Sequence, residues 1–268
     1  LLKRTNYKII SIDNYSSGTR LNHIKSRRVK YIKGNSVNIS KLIKNPHQIK
    51  TIFHFGEFAR IYQSFLKMDQ CISSNSVGSN AVFNFCLKHK IKLIYSATSA
   101  SLGNKGNDKN LSPYAFTKAK NLELLENLKK WFNFKYEVIY FYNVYGSHQI
   151  CRGQMSTVIG IFEDHYKMKK PLPVVLPGTQ TRRFTHINDT VEICYLAWKK
   201  NLCRHYSVAS KKSYSILEVA RMFKSKIKFL PRRQGERYAS ALTKMNLSNK
   251  IYKYYGKIRL KDYVNDLI

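Results

Sequence analysis

A tyrosine and a lysine four residues apart, Tyr114 and Lys118, are the residues of this sequence best suited to acid–base chemistry. Pro113 favours the first turn of a helix, so both side chains are expected on one helix face. A nearby ammonium favours the phenolate form of a tyrosine, and a phenolate can accept a proton from a sugar hydroxyl. Thr98 is predicted to end a buried strand, where its hydroxyl can share that proton. These are the three candidate catalytic residues.

The Tyr-x-x-x-Lys spacing alone is weak, because it occurs twice more in this basic chain, at Tyr166/Lys170 and at Tyr195/Lys199. The alternative interpretation of any such pair is a solvated helix face. Only the pair that begins at Tyr114 follows a predicted strand ending in small hydroxyl residues and precedes a long predicted helix. That context favours a catalytic role for this pair over the other two.

The chain is strongly basic: 48 lysines and arginines against 15 acidic residues give a formal charge of +33 over 268 residues. Such a charge can attract nucleic acid or anionic small molecules such as sugar nucleotides. The basic residues are spread along the whole chain, and Lys, Asn and Ile are all abundant, as an AT-rich coding sequence would give. This distribution favours a compositional origin over a nucleic-acid-binding surface.

The five cysteines show neither a C-x-x-C motif nor Cys/His spacing typical of a metal site. They are therefore interpreted as reduced thiols of a cytoplasmic protein, with no metal predicted. Cys71, Cys86 and Cys194 fall in amphipathic stretches and are expected in the core. No apolar run approaches the length of a membrane span, and no secretory signal is visible.

Strands alternate with helical stretches, the pattern of a parallel sheet covered by helices. Strands are predicted at 7–12, 29–32, 51–55, 91–95, 136–141 and 206–208. Helices are predicted at 68–88, 113–132, 158–166, 188–198 and 216–223. The regularity falls after Gly146, so two domains are expected, 1–145 and 146–268, with about 187–208 returning to the first.

The predicted order of elements is that of a doubly wound α/β fold of the Rossmann type, with a smaller C-terminal α/β domain. Such a fold begins with a strand and a glycine-rich turn that brings a helix N-terminus to a pyrophosphate. No Gly-x-x-Gly-x-x-Gly occurs in the chain. Leu1-Leu2-Lys3-Arg4 has the character of a helix end running into the first predicted strand. The expectation is that the first strand and its turn are missing from this chain.

Six motifs in a fixed order extend over nearly the whole chain. They occupy 12–18, 53–57, 96–103, 142–146, 178–189 and 233–236. Together they resemble the extended short-chain dehydrogenase/reductase family and, within it, NAD-dependent nucleotide-sugar epimerases of the UDP-glucose 4-epimerase type. The motifs are far more specific for the family than for the sugar.

The resemblance implies NAD as cofactor. It places Asp13 at the adenosine ribose hydroxyls and Lys118 at the nicotinamide ribose, where Lys118 would also lower the pKa of Tyr114. The residues that it assigns to cofactor binding are Asp13, Asn14, Asn35, Phe55, Gly56, Ser96, Tyr114 and Lys118.

The resemblance also implies a nucleotide-diphosphate sugar as substrate. Arg182 would clamp the diphosphate, which suits the planar fork of a guanidinium, and Arg233 would be a second phosphate contact. Asn143 would also contact the diphosphate, and Thr98 the reacting sugar hydroxyl. The family resemblance further implies a homodimer, formed through the helix of Tyr114 and the helix before it.

The implied reaction is epimerisation, at C4 of a UDP-hexose, by transient oxidation to a keto sugar. Related 4,6-dehydratases carry Asp-Glu after the catalytic threonine, whereas Ser99-Ala100 follow Thr98 here and cannot do acid–base work. Epimerisation is therefore preferred to dehydration. Two further alternatives stay open: a catalytically silent fragment or homologue of the family, and a basic nucleic-acid-binding protein.

The sequence departs from the family pattern at several positions near the expected cofactor and substrate sites. Gly56-Glu57 replaces two small residues, and Asn35 stands where an adenine-contacting aspartate is common. Arg183 replaces a usual aspartate beside the predicted phosphate clamp. These polar exchanges are expected to change the affinity for the cofactor.

Overall fold

The computed structural model describes residues 1–102, 109–235 and 251–268 of the chain. Its strands are β1 (Ile9–Asp13), β2 (Val29–Lys33), β3 (Thr51–His54), β4 (Lys92–Thr98), β5 (Tyr136–Phe141), β6 (Val144–Tyr145), β7 (Leu172–Val175), β8 (Thr181–Arg183), β9 (Thr185–His186), β10 (His205–Ala209), β11 (Ser213–Ser215), β12 (Ile227–Leu230) and β13 (Ile251–Tyr255).

The α-helices are α1 (Ile39–Leu42), α2 (Ile61–Leu66), α3 (Met68–Ile72), α4 (Ser79–Lys88), α5 (Ser99–Leu102), α6 (Pro113–Phe132), α7 (Val158–Lys167), α8 (Ile187–Lys200), α9 (Ile216–Met222) and α10 (Leu260–Asn265). Short 3₁₀ turns at Arg20–Asn22, Ser36–Asn38 and Pro46–Gln48 and a π-helical segment at Ser73–Gly78 complete the helical structure of these residues.

Five parallel strands form the central sheet in the order β13-β10-β5-β4-β3. In the β4–β5 pair, Leu93 lies opposite Tyr136 and Thr98 lies opposite Phe141. Both strands are almost wholly buried, as expected for a parallel sheet covered on its two faces. The α/β fold predicted from the alternation of elements is confirmed.

A second, two-stranded parallel sheet pairs β1 with β2. Residues of β1 and of β3 line one open cavity of about 1460 Å³. Among the described residues, β1 pairs only with β2 and β3 only with β4, so no strand lies between β1 and β3. In the Rossmann strand order the first strand lies at this place.

Helices cover both faces of the central sheet. α4 and α6 contribute Phe83, Phe85 and Leu125 to the core on one face, and α8 contributes Ile193 and Ala197 to the core on the other. Helix α6 spans the residues predicted for it.

Local signals explain both ends of α6. The Ser112 side chain caps its first turn by accepting a hydrogen bond from the Ala115 amide at 3.1 Å, and Pro113 occupies the first helical position. Asn133, in the left-handed conformation at φ 52°, ends it. These ends set the register of α6, and with it the positions of Tyr114 and Lys118.

The helix predicted at 68–88 is confirmed, because α3, the π-helical segment and α4 follow one another without interruption from Met68 to Lys88. The buried Asn75 of the π segment accepts a hydrogen bond from the Phe58 amide at 2.7 Å and donates one to the Phe58 carbonyl at 3.0 Å. A Cβ at Gly78 would lie 2.4 Å from Ser36 Oγ, so the chain also approaches its neighbour closely there. The π-helical segment is therefore a local change of winding within the helix that the apolar pattern predicts.

A smaller C-terminal layer packs β7, β12, α7, α9 and α10 around a core that includes Phe162, Val219 and Phe223. Two short pairs, β8 with β11 and β6 with β9, flank it. Helix α8 and strands β10 and β13 belong to the central sheet and its cover. The domain boundary near 146 stays a prediction.

All five cysteines are free thiols, and Cys71, Cys86 and Cys194 are buried as predicted. Within the part of the chain that the structure describes, no helix combines the length and the apolar character that crossing a bilayer requires.

Candidate active site

The carboxyl end of β4 and the first two turns of α6 bring the predicted catalytic residues together. Tyr114 and Lys118 lie on one face of α6, and both side chains are buried. The Tyr114 side chain lies near the Thr98 side chain at the end of β4, whose hydroxyl acts to lower the pKa of Tyr114. The Lys118 ammonium donates a hydrogen bond to the Ser96 carbonyl of the same strand. The helical spacing predicted from the sequence therefore places these groups in one cluster.

Lys118 also forms an ion pair with Glu57, from the loop after β3. The two side chains are only 4% and 2% exposed, so water screens the pair little. The Lys118 Nζ lies 3.5 Å from Ser96 Oγ and 4.7 Å from the centre of the Tyr95 ring. Burial lowers the pKa of Lys118, and the Glu57 charge opposes that shift.

Glu57 is the functional candidate that sequence reasoning missed. Its Oε1 accepts hydrogen bonds from Ser79 Oγ at 2.7 Å, from the Tyr95 hydroxyl at 3.1 Å and from Asn121 Nδ2 at 3.3 Å. The signal in the sequence was the acidic residue at a motif position where the family has a small one. Without the fold, no partner for that carboxylate could be named.

Burial raises the pKa of Tyr114 to about 12. The Thr98 hydroxyl and the Arg60 charge act in the opposite direction, while the Glu57 charge and Cys71 raise the pKa further. In the protein without ligands, Tyr114 is a protonated phenol at neutral pH. The expectation that Lys118 lowers the pKa of Tyr114 stays a prediction.

Five of the eight residues predicted to bind the cofactor, Asp13, Asn14, Asn35, Phe55 and Gly56, line the 1460 Å³ cavity at the carboxyl ends of β1 and β3. Asp13 ends β1 and accepts a hydrogen bond from the Tyr15 amide at 2.7 Å, which orients its carboxylate. Asn14 Nδ2 donates to Asn35 Oδ1 at 2.9 Å, so these two predicted residues meet. A Cβ at Gly18 would lie 2.9 Å from the Asp13 carboxylate, so the chain passes close to that group.

Phe55 and Gly56, which follow β3, line the same cavity. A Cβ at Gly56 would meet no atom within 4 Å, so the glycine leaves the groove wide there. An exposed carboxylate at one end and an open groove along the strand ends suit the ribose and the length of a dinucleotide. The residues present therefore fit the predicted cofactor.

A second cavity, of about 1130 Å³, adjoins the first, because Phe55 and Glu57 line both. Its lining contains the predicted catalytic and substrate-binding residues Thr98, Tyr114, Lys118, Asn143, Arg182 and Arg233. Ser96, Tyr114 and Lys118, which were also predicted to bind the cofactor, line this second cavity and not the first. The cofactor residues Asp13 to Gly56 line the first cavity. Tyr114 and Thr98 thus lie in the substrate-side cavity, beside the border between the two.

The substrate-side cavity has a basic wall. Arg182 Nη1 donates to the Thr181 carbonyl at 2.8 Å, and the Arg233 guanidinium lies 5.4 Å from the centre of the Tyr62 ring. Arg60, which no sequence pattern indicated, also lines this cavity, and its Nε donates to the Met155 carbonyl at 2.9 Å. Positive groups on several sides favour an anionic ligand.

Asn143 and Arg183 are held by backbone groups around this cavity. Asn143 Nδ2 donates to the Arg183 carbonyl at 3.0 Å, which links the end of β5 to β8. Arg183 Nη1 donates to the Ser210 and Lys211 carbonyls at 2.6 Å each. Gly103 and Glu236, the last residues of two sequence motifs, lie outside the described residues.

A sequence model of the NAD dependent epimerase/dehydratase family matches residues 1–209. The chain belongs to this family. The membership confirms the family predicted from the sequence motifs, and the NAD dependence of the family agrees with the predicted cofactor.

Individual members of the epimerase/dehydratase family resemble the chain at low identity. An uncharacterised UDP-glucose epimerase of Bacillus subtilis is 25% identical over 211 residues, which are 72% of this chain and 65% of that protein. The structure of UDP-glucose 4-epimerase from Thermotoga maritima with UDP-glucose superposes with a TM-score of 0.84 at 20% identity and covers 97% of this chain and 89% of that one.

The Thermus thermophilus UDP-glucose 4-epimerase, solved as a complex with NAD, superposes with a TM-score of 0.75 at 18% identity, over 86% of this chain and 81% of that one. At such identities the likeness establishes the Rossmann-type fold of this family member and leaves its sugar open.

Proposed function

We propose that the protein catalyses NAD-dependent epimerisation of a nucleotide-diphosphate sugar, at C4 of a UDP-hexose. The observation that carries the proposal is the position of the Tyr114–Thr98 pair beside the border of two adjoining cavities. One cavity carries the residues suited to a dinucleotide, and the other has a basic wall suited to a diphosphate. A sugar attached to that diphosphate can then present a hydroxyl to Tyr114.

NAD, when bound, supplies the acceptor and later donor of a hydride. The protein's own residues manage the proton. Tyr114, once ionised to the phenolate, accepts it from the sugar hydroxyl, and the Thr98 hydroxyl orients the sugar hydroxyl by a hydrogen bond. Lys118 holds the cofactor ribose beside them. Arg182 and Arg233 hold the diphosphate, so that the sugar can turn while its nucleotide stays in place.

The residues after Thr98 support epimerisation over dehydration. Ser99 and Ala100 begin α5, and the Ala100 amide donates to Thr98 Oγ1 at 3.2 Å. Neither side chain can act as a carboxylic acid or a carboxylate, so these two positions supply no acid–base pair for the removal of water. The proposal is therefore limited to proton and hydride exchange at one carbon.

The proposal includes a cytoplasmic homodimer. The free cysteines support a reducing compartment. The adjacent segments α2, α3, Ser73–Gly78 and α6 together expose Leu66, Met68, Val77 and Phe116, and a second copy of the chain would cover such an apolar face.

The test uses the protein expressed from its complete open reading frame. Purified protein is examined for bound NAD and incubated with UDP-glucose, UDP-galactose and their N-acetyl forms, with the products followed by NMR. The expected result is inversion at C4 that Tyr114→Phe slows by about 10²- to 10⁴-fold, the usual contribution of a general base. Tyr140→Phe removes a buried hydroxyl that contacts His205, away from the site, and is the matched control.

The outcomes separate the alternatives. Bound NAD without turnover of these sugars would contradict the UDP-hexose assignment. Equal activity in Tyr114→Phe and Tyr140→Phe would contradict the role of Tyr114. Absence of bound NAD would support a catalytically silent homologue, and steeply salt-dependent DNA binding would support a nucleic-acid-binding protein.

A further inference from the structure

The Lys118 ammonium is not free to act on Tyr114 alone, because the Glu57 carboxylate is paired with it inside the protein. Both side chains are almost completely buried, so the two charges interact through protein and not through water. A Tyr-x-x-x-Lys spacing by itself predicts an unopposed positive charge beside the phenol. This chain instead places a negative charge against that positive one.

The surroundings of Glu57 suit a carboxylate and leave it little freedom. Its neighbours Ser79, Tyr95 and Asn121 all donate hydrogen bonds to it. Since Ser79 uses its single proton for Glu57, the contact of 2.9 Å between Ser79 Oγ and His54 Nε2 has the histidine as donor. Groups on α4, β4 and α6 thus donate directly to the Glu57 carboxylate, and His54 of β3 supports the first of them, Ser79.

The charged and titratable groups around Tyr114 come from four elements. Glu57 lies in the loop after β3, Arg60 precedes α2, Cys71 belongs to α3 and Lys118 to α6. Burial raises the pKa of Cys71, so its thiol is neutral. Two cations and one carboxylate are therefore the charges that decide how readily the phenol loses its proton.

We propose that Glu57 is a positioning residue that holds the Lys118 ammonium against the end of β4 and offsets its charge at Tyr114. The inference rests on the proposed role of Tyr114 as the proton acceptor. Its consequence is that Lys118 serves mainly to anchor a ligand, while Thr98 and Arg60 are the neighbours that favour the phenolate. The Glu57 charge therefore lowers the fraction of Tyr114 that is ionised at a given pH.

The test measures the ionisation of Tyr114 directly, without cofactor or substrate. The protein is labelled with [ζ-¹³C]tyrosine, and the Tyr114 resonance is the one absent from Tyr114→Phe. In Glu57→Gln, which keeps the shape and removes the charge, the pKa of Tyr114 is expected to fall by about one unit. The measured quantity is the midpoint of the titration of that resonance, which lies at about 12 before the substitution.

Glu137→Gln is the matched control, because Glu137 is also a buried carboxylate paired with a lysine of β4, with Lys92 Nζ 2.8 Å away. That pair lies at the amino ends of β4 and β5, away from Tyr114. An unchanged Tyr114 resonance in Glu57→Gln, or an equal change in Glu137→Gln, would overturn the proposal.

A second comparison covers the case in which Glu57→Gln does not fold. The double variant Glu57→Gln/Lys118→Met lacks both charges, whereas Lys118→Met keeps only the carboxylate. The proposal requires a larger ionised fraction of Tyr114 in the double variant than in Lys118→Met, and an equal fraction refutes it. Because no turnover is measured, these results are independent of whether the proposed sugar is converted.

Discussion

Removal of the Lys118 ammonium is expected to reduce the free energy of unfolding by about 3 kcal/mol, because it leaves a buried carboxylate without its cation. Lys118→Met keeps an unbranched side chain of similar length, so the change is chiefly one of charge. Breaking a buried ion pair on one side typically costs about 3–5 kcal/mol. Glu57 keeps its hydrogen bonds from Ser79, Tyr95 and Asn121, which places the expected loss at the lower end.

The measurement is urea unfolding followed by far-UV circular dichroism, where a loss of stability lowers the midpoint and leaves the slope unchanged. Glu57→Gln/Lys118→Met removes both charges, and we expect it to regain at least half of the loss, because no uncompensated charge stays buried. If the two single losses simply add in the double variant, the pair is not coupled, and the electrostatic reasoning about Glu57 and Lys118 is refuted.

Two further predictions concern pH and association. Burial lowers the pKa of His54 from 6.5, so the unfolded chain binds a proton that the folded one does not, and stability falls as pH drops below about 6.5, by up to about 1.4 kcal/mol per unit. His54→Gln should flatten this dependence of the urea midpoint, and an unchanged slope would contradict it. Val77→Asp, on the exposed apolar face beside α6, should weaken the proposed dimer, since a carboxylate would be buried there. Sedimentation velocity measures the fraction of dimer. Lys88→Asp, which introduces a carboxylate at an exposed position, is the control and should leave that fraction unchanged.

The sequence was sufficient for the parts of the site that depend on local spacing. Helix α6 spans the residues 113–132 predicted for it, since a proline at the first turn is a local signal that the sequence itself carries. That helix fixes Tyr114 and Lys118 on one face. The order of strands and the motif at the end of β4 then predicted Thr98 beside them, as the structure shows.

Elements with weak local signals could not be predicted in this way. Strands β8, β11, β12 and β13 are short or separated from their partners by long stretches of chain, so their pairing depends on contacts that no local pattern records. Within the helix at 68–88, Asn75 of the π-helical segment hydrogen-bonds the backbone of Phe58 across the fold. Periodicity predicts this helix but not the local change in its winding.

The electrostatic state of the site was decided by tertiary structure alone. The sequence determined that a tyrosine, a lysine and a threonine could meet, because helix and strand geometry relate their positions. It could not determine that Glu57, 61 residues before Lys118, would be buried against that lysine. Burial and distance set the strength of a charge interaction, and both arise only when β3, β4 and α6 pack together.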